Sequence, residues 1–256
     1  MIKELGLQLF TIRDFMKSEE DIRESFQKMR KYGYTQGQTA GCAIPYADFG
    51  RIAREEGIEI VGTHDNFNMM VNDFEQSLEN HKLLGTTNMG TGGQHYATLD
   101  DVKVFIENAN MIAEKAGKNG MKFTYHNHSH EFHRWENGKT TMDMLVEELD
   151  PANTSFVLDT YWVQHGGGDV RYWIEKLAGR IDILHLKDMR RILPKDNTPV
   201  QQITEIGDGN LNWELILQSA EKSGVKYYVV EQDTNWKVNC FASIKTSADY
   251  LRQFMA

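Results

Sequence analysis

The strongest constraint on this chain is a rhythm. Short runs of apolar or strand-forming residues recur along its length, and longer stretches with helical spacing separate them. The runs are LGLQLF (5–10), GYTQGQTA (33–40), IEIVGTH (58–64), TTNMGTG (86–92), KFTYHNH (122–128), SFVLDT (155–160), DILHLK (182–187) and YYVVEQ (227–232). Glycine and polar residues dilute the second and fourth. Between the runs, SEEDIRESFQKMRKYG sets Ile22, Phe26 and Met29 on one face and stops at Gly33. The stretch DDVKVFIENANMIAEKAGKNG is predicted to carry a stripe of Val102, Val104, Phe105, Ile106, Met111 and Ile112. DVRYWIEKLAGR, NWELILQSAEKSG and SIKTSADYLRQFM follow the same pattern. Strand and helix in alternation give parallel βα units. Eight units in a chain of 256 residues predict a (β/α)8 TIM barrel, a single domain over 1–256, in preference to an open doubly wound sheet. No GxGxxG follows the first run and no GxxxxGK[ST] occurs, so the nucleotide-binding alternative lacks its fingerprint.

Composition narrows the function classes. A formal charge of −9 without a long basic block disfavours nucleic acid as a partner. No apolar run reaches the roughly 18 residues of a membrane span, and the start, MIKELGLQLF, does not read as a secretory signal. Two distant cysteines, Cys42 and Cys240, suit a reducing, cytoplasmic setting and argue against a disulfide scaffold and a thiolate zinc site.

In such a barrel the chemistry gathers where strands end. Those ends are rich in ligand-type side chains: His64-Asp65 after the third run, His126-Asn127-His128 with Glu131 after the fifth, and Asp159 after the sixth. His185, Lys187 and Asp188 lie at the seventh, Glu231 and Asp233 at the eighth. Taken singly, each has a plainer reading: a helix cap for Asp159, a core histidine for His185, a solvated turn for Glu231. Together, carboxylates and imidazoles without thiolate describe a mixed O/N site for one divalent cation, with Zn, Mn, Co or Mg all acceptable. Asp159, His185 and Glu231 are the candidate ligands from adjacent staves. The fifth run supplies the fourth, Glu131, with His126 its competitor.

The motifs LGLQLFTIRD, YHNHSHEF, FVLDTYWVQHGGGD, GRIDILHLKDM, EIGDGNLNW and YYVVEQD together resemble the sugar phosphate isomerase/epimerase family. This is the xylose isomerase-like TIM barrel group, which also holds inosose dehydratases and, more remotely, endonuclease IV. The resemblance runs through nearly the whole chain in the expected order. It implies a divalent metal held by Glu, Asp, His and Glu from strands five to eight, and Asp159, His185 and Glu231 match that pattern directly. The sequence departs from it at His126, where relatives have Glu, and at Gln38, where they often have Glu.

The expected chemistry is proton transfer beside a metal-polarised carbonyl of a sugar-like substrate, giving isomerisation, epimerisation or dehydration. His128 and His64 are the candidate bases, and Glu231 shares that role. Lys187 is expected to donate to a substrate oxygen. Trp162 is expected to stack on the sugar, while His126, Gln38 and Asp233 line the substrate side. A phosphate would require Lys187, Arg190, Arg191 and Arg13 to converge. The loop GDGNLNW (207–213) is expected to close over the mouth as a mobile lid. A homo-oligomer, dimer or tetramer, is expected. The alternative is a non-catalytic or hetero-oligomeric barrel subunit, for example of a C-glycoside-cleaving lyase, which metal analysis would separate from an enzyme.

Overall fold

The structure, a computed structural model, describes residues 2–194, 196, 198 and 200–256. In chain order its strands are β1 (Leu5–Gln8), β2 (Tyr34–Thr39), β3 (Glu59–Thr63), β4 (Asn88–Thr91), β5 (Lys122–His126), β6 (Thr154–Asp159), β7 (Ile181–Leu186), β8 (Asp188–Ile192), β9 (Val200–Thr204) and β10 (Tyr227–Val230). All eight predicted runs form staves. They pair in parallel in the order β3-β2-β1-β10-β7-β6-β5-β4, which makes β10 the eighth barrel strand.

The seam between β3 and β4 closes the ring without a regular ladder. Asp65 N–H donates to Gly90 O (2.8 Å), Gly90 N–H to Thr63 Oγ1 (3.0 Å) and Asn88 Nδ2 to Val61 O (2.8 Å). A Cβ on Gly90 would lie 2.1 Å from Thr63 O, so only glycine permits this approach.

The helices are α1 (Glu19–Tyr32), α2 (Tyr46–Glu55), α3 (Phe67–Asn72), α4 (Phe74–Leu84), α5 (Leu99–Lys118), α6 (Thr141–Glu148), α7 (Thr160–His165), α8 (Val170–Lys176), α9 (Trp213–Lys222) and α10 (Cys240–Leu251). Local chemistry fixes their ends. Ser18 caps α1 and Gly33 ends it at φ +98, while Thr98 with Asp101 and Thr140 with Asp143 form capping boxes on α5 and α6. The α5 stripe differs from the predicted one. Val102, Phe105, Ile106 and Ile112 are buried, whereas Val104 and Met111 are exposed, because the buried face continues through Ala109, Ala113 and Ala116 instead. Among the described residues no helix is long and apolar enough to cross a membrane.

The main core lies between the outward faces of the staves and the helices. A separate apolar cluster of Val61, Val157, Ile183 and Val229 fills the barrel interior. One element was not predicted from the sequence: β8 and β9 form an antiparallel hairpin directly after the seventh stave. Asp188 anchors it. Its buried carboxylate accepts from Gly207 N (2.9 Å), Gly209 N (3.2 Å), Leu211 N (3.3 Å) and Trp213 Nε1 (2.7 Å). The loop 207–213 is thus clasped at several points rather than built as a free lid, and Trp213 belongs to this clasp.

Candidate active site

Alternation along each stave determines which side chains meet at the mouth. Val157, Ile183 and Val229 point inward, so Asp159, His185 and Glu231, two positions further on, point inward one layer higher. On β5 the large aromatics Phe123 and Tyr125 join the outer core, which turns His126 inward. Three register shifts hold this parity. Thr35, Val61 and Asp182 each stand as an extra residue opposite their neighbours, and they restore Gln38, His64 and His185 to the inner face.

His126, Asp159, His185 and Glu231 are buried, come from the adjacent staves β5, β6, β7 and β10, and bring ligand atoms within 4.8 Å of one another. His185 Nδ1 lies 2.9 Å from Glu231 Oε2 and 3.7 Å from Asp159 Oδ2, out of line for a hydrogen bond to either. His185 Nε2–H donates to Gln38 Oε1 (2.5 Å), which leaves Nδ1 as the atom turned to the carboxylates. His126 is held in the same manner: Nδ1–H donates to Gly92 O (3.3 Å), and Nε2 faces Asp159 Oδ2 at 3.4 Å. Each imidazole therefore has one nitrogen fixed by an outer partner and the other aimed at the cluster, the arrangement that metal-ligating histidines favour. Asp159 Oδ1 meanwhile caps α7 through Trp162 N (2.9 Å), so the helix-cap reading and the cluster hold together.

The fourth member of this cluster is His126, and Glu131, the expected fourth ligand, does not join it. Glu131 lies on the outer side, where Oε1 accepts from Tyr125 O–H (2.6 Å) and Oε2 from His128 N–H (2.8 Å). Glu131 lies in the 3-10 turn His130–Phe132, where Tyr125 of β5 and the backbone of His128 engage both carboxylate oxygens. Glu131 does fall in a second group with His128 and His130, but His130 Nε2 is engaged with Gln94 O (2.7 Å).

Lys187 is buried among carboxylates. Its Nζ donates to Asp233 Oδ2 (2.7 Å) and Glu231 Oε2 (3.1 Å), lies 3.5 Å from Asp159 Oδ2, and faces the Trp162 ring at 5.0 Å. Burial opposes charge on every one of these groups, but mutual attraction prevails. Lys187 is raised above its ordinary value by Glu231, Asp159 and Asp233, Glu231 is held well below the carboxylate range by Lys187 and His185, and His185 rises to about 9. Asp233 is instead pushed up, by burial and by Glu231.

These side chains border a cavity of about 270 Å³, lined by His64, His126, His128, Lys187, Glu231 and Asp233 together with Phe10, Ala40 and Gly92. Around it, Gln38 Nε2, His64 Nε2, His128 Nδ1, Trp162 Nε1 and Asp233 Oδ1 are shielded and without a hydrogen-bond partner in the protein. Burial and neighbouring imidazoles keep His64 neutral, and burial holds His128 at about 3. Gly93, at φ +108, leaves room for the His128 ring, which a Cβ there would meet at 2.6 Å. A larger cavity, about 780 Å³, opens beside α9 and the C-terminal turn, but it is lined by no histidine or cation.

The arginines that would grip a phosphate are otherwise engaged or exposed. Arg13 donates to Phe10 O (2.8 Å) and Asp233 O (3.2 Å), Arg190 pairs with Gln202, and Arg191 is exposed. Sequence reasoning passed over Gln8, Asn127 and Tyr125. Asn127 Oδ1 accepts from Asp159 N–H (3.0 Å), and Gln8 reaches His64.

Fold and site together define a parallel α/β barrel whose mouth carries a buried His/carboxylate cluster suited to a divalent cation. The chain belongs to the xylose isomerase-like TIM barrel family, whose model matches residues 2–254. It is 25% identical over 170 residues to inosose dehydratase of Geobacillus thermodenitrificans, covering 61% of this chain and 55% of that protein. To the Bacillus licheniformis inosose dehydratase it is 29% identical over 151 residues, covering 54% and 49%. The chain thus spans about half the length of the curated relatives it matches. Among solved structures, a sugar phosphate isomerase/epimerase from Parabacteroides distasonis superposes with TM-score 0.83 at 25% identity, covering 98% of this chain and 93% of that one. An L-ribulose 3-epimerase shares the fold at TM-score 0.73 and 14% identity, covering 98% and 94%.

Proposed function

We propose that this protein is a divalent-metal-dependent enzyme that moves a proton on the carbon next to the carbonyl of an unphosphorylated, polyhydroxylated ketone, as an epimerase, isomerase or dehydratase does. One observation carries the reading: His126, Asp159, His185 and Glu231 converge from four adjacent staves beside a small cavity of unpartnered polar atoms. The donor set fits a borderline or hard cation, since it is all nitrogen and oxygen, two of its members are carboxylates, and His185 Nδ1 is a buried nitrogen without a hydrogen-bond partner. Held by those four residues, the cation would act as a Lewis acid toward a substrate oxygen.

The chain's own groups would do the rest. Lys187, fixed by Glu231 and Asp233, offers an ammonium donor to a substrate oxygen and is too strongly paired to serve as a Schiff-base amine. His128 lines the cavity as a neutral imidazole and would take the substrate proton, while Asp233 Oδ1 accepts from a substrate hydroxyl. Trp162, partly buried against His128 and Lys187, supplies an apolar wall and a free indole N–H. The commitments of Arg13 and Arg190 favour a substrate without phosphate. The names of the relatives, inosose dehydratase and L-ribulose 3-epimerase, point to the same class of molecule.

The test is solvent exchange, which all three reaction types share. Protein loaded in turn with Mn, Co, Zn or Mg is incubated in deuterium oxide with inosose or L-ribulose, and substrate and product are read by mass spectrometry. Deuterium on the carbon beside the carbonyl, or loss of water, is expected with at least one metal. Absence of both across the whole set would remove the proposal.

A further inference from the structure

His64 was expected from the sequence to be a base, yet its surroundings give it the opposite polarity. We infer that Gln8 fixes His64 as a neutral Nε2–H donor aimed into the cavity, so that His64 stabilises charge on a substrate oxygen while another group takes the proton. The catalytic part of this inference rests on the function proposed above; the tautomer itself does not.

The argument begins at the end of β1. Gln8 is fully buried, and its carbonyl Oε1 accepts from Phe10 N–H (3.1 Å) as the chain turns into the 3-10 helix Leu9–Phe15. That bond settles which end of the amide is which. Nε2 is left facing His64 Nδ1 at 3.2 Å. An amide NH2 has only hydrogens to offer and cannot accept, so Nδ1 must be the bare nitrogen and the ring proton must sit on Nε2. An imidazolium is disfavoured by the same contact, since its Nδ1–H would point at the amide hydrogens.

The ring is held in place from the side. It stacks on His126 at 4.7 Å with 26° between planes and lies 5.5 Å from the His185 ring. Nε2 is shielded and has no protein partner, and His64 lines the cavity with Lys187 and Glu231. A donor placed there meets a carbonyl or hydroxyl oxygen and strengthens its bond as negative charge grows on that oxygen. Gln8 touches no substrate; it is a positioning residue that acts through His64.

The experiment reads the tautomer directly. Protein with 15N-labelled histidine is examined by NMR without substrate, and His64 is assigned by the signal lost in His64→Gln. The expected result is a protonated Nε2 and a bare Nδ1 near neutral pH. Gln8→Glu keeps the acceptor for Phe10 N–H but sets a carboxylate opposite Nδ1, so a proton is expected to appear on Nδ1. Gln8→Leu is expected to show both tautomers. A protonated Nδ1 in the unaltered protein, or no change in Gln8→Glu, overturns the assignment. Thermal melts identify a variant that fails to fold, and Gln8→Glu, the nearest isostere, carries the test if Gln8→Leu does.

With whichever of inosose and L-ribulose exchanges deuterium, Gln8→Glu and His64→Ala should lower kcat by about 10²-fold, with KM little changed. His64→Gln retains an N–H donor and should keep about tenfold more kcat than His64→Ala. Equal loss in the two His64 variants would overturn the donor role. If neither compound exchanges, the proposed activity fails while the NMR result still decides the tautomer.

Discussion

His126 and Glu131 sit on opposite sides of the fifth stave, and the difference is testable. His126 turns its Nε2 to Asp159, whereas both oxygens of Glu131 are engaged by Tyr125 and His128. His126→Gln and Glu231→Gln are each expected to weaken Mn or Zn binding by at least about 10–100-fold, the loss that even outer partners of a metal produce. Glu131→Gln is expected to bind metal within a few-fold of the unaltered protein. It should instead lose about 1–3 kcal/mol of stability, because a carboxamide cannot serve both buried donors. Calorimetric metal titration and urea melts separate the two effects, and loss of metal in Glu131→Gln would refute the donor set. Asp159, His185 and Glu231 were legible because each ends a strand whose apolar members fix its parity. His126 carried the same signal, since Phe123 and Tyr125 must face outward, but a glutamate in HSHEF matched the family pattern more closely in chemistry and obscured it. Gln8 was legible by the same rule: Leu5 and Leu7 face the outer core, so Gln8 faces in.

At the scale of elements, sequence periodicity located every stave but not the irregularities that aim them. The extra residues at Thr35, Val61 and Asp182 shift register; Gly6, Gly37 and Gly62 stand beside the first two but nothing in the sequence marks the third, because bulges here arise from fitting staves around a closed ring. The hairpin β8–β9 was hidden for a related reason. Its strand DMRRI continues a stave already assigned, and only the grip of Asp188 on the loop 207–213 gives it a base to fold against. Asp188→Asn replaces one acceptor oxygen of that grip with a donor, so faster amide exchange of residues 207–213 is expected, with about 1–3 kcal/mol lost. Exchange unchanged in that loop would show that Asp188 does not hold it. The seam makes a sharper prediction. Gly90→Ala forces a Cβ against backbone at 2.1 Å, so about 3 kcal/mol or more should be lost. At about 2–4 °C of Tm per kcal/mol, a melt moved by less than about 3 °C would mean that β3 and β4 are not packed as described.

At the scale of the whole molecule, the cluster links the chemistry to folding. Its four side chains come from β5, β6, β7 and β10, which enter the chain between residue 122 and residue 231, so no local segment brings the group together alone. An ion that needs all four staves in place binds the folded chain and not the unfolded one, and must then stabilise it. At free metal about 100 times its Kd the gain is about 2.7 kcal/mol, which for a chain of this size corresponds to a Tm increase of roughly 5–10 °C. The increase should vanish on adding EDTA and fall to about half or less in Glu231→Gln at the same metal concentration. Comparing Mn, Co, Zn and Mg at equal concentration would rank them by affinity, because the shift depends only on the ratio of free metal to Kd. The net charge of −9 is a confounder, since any cation screens a repelling surface. Calcium controls for it: with the same charge as the other ions but an oxygen-seeking, high-coordination preference, it is poorly served by two imidazoles and two carboxylates. A shift of equal size with calcium, or one that is undiminished in Glu231→Gln, would assign the stabilisation to the surface and leave the barrel mouth without a metal role.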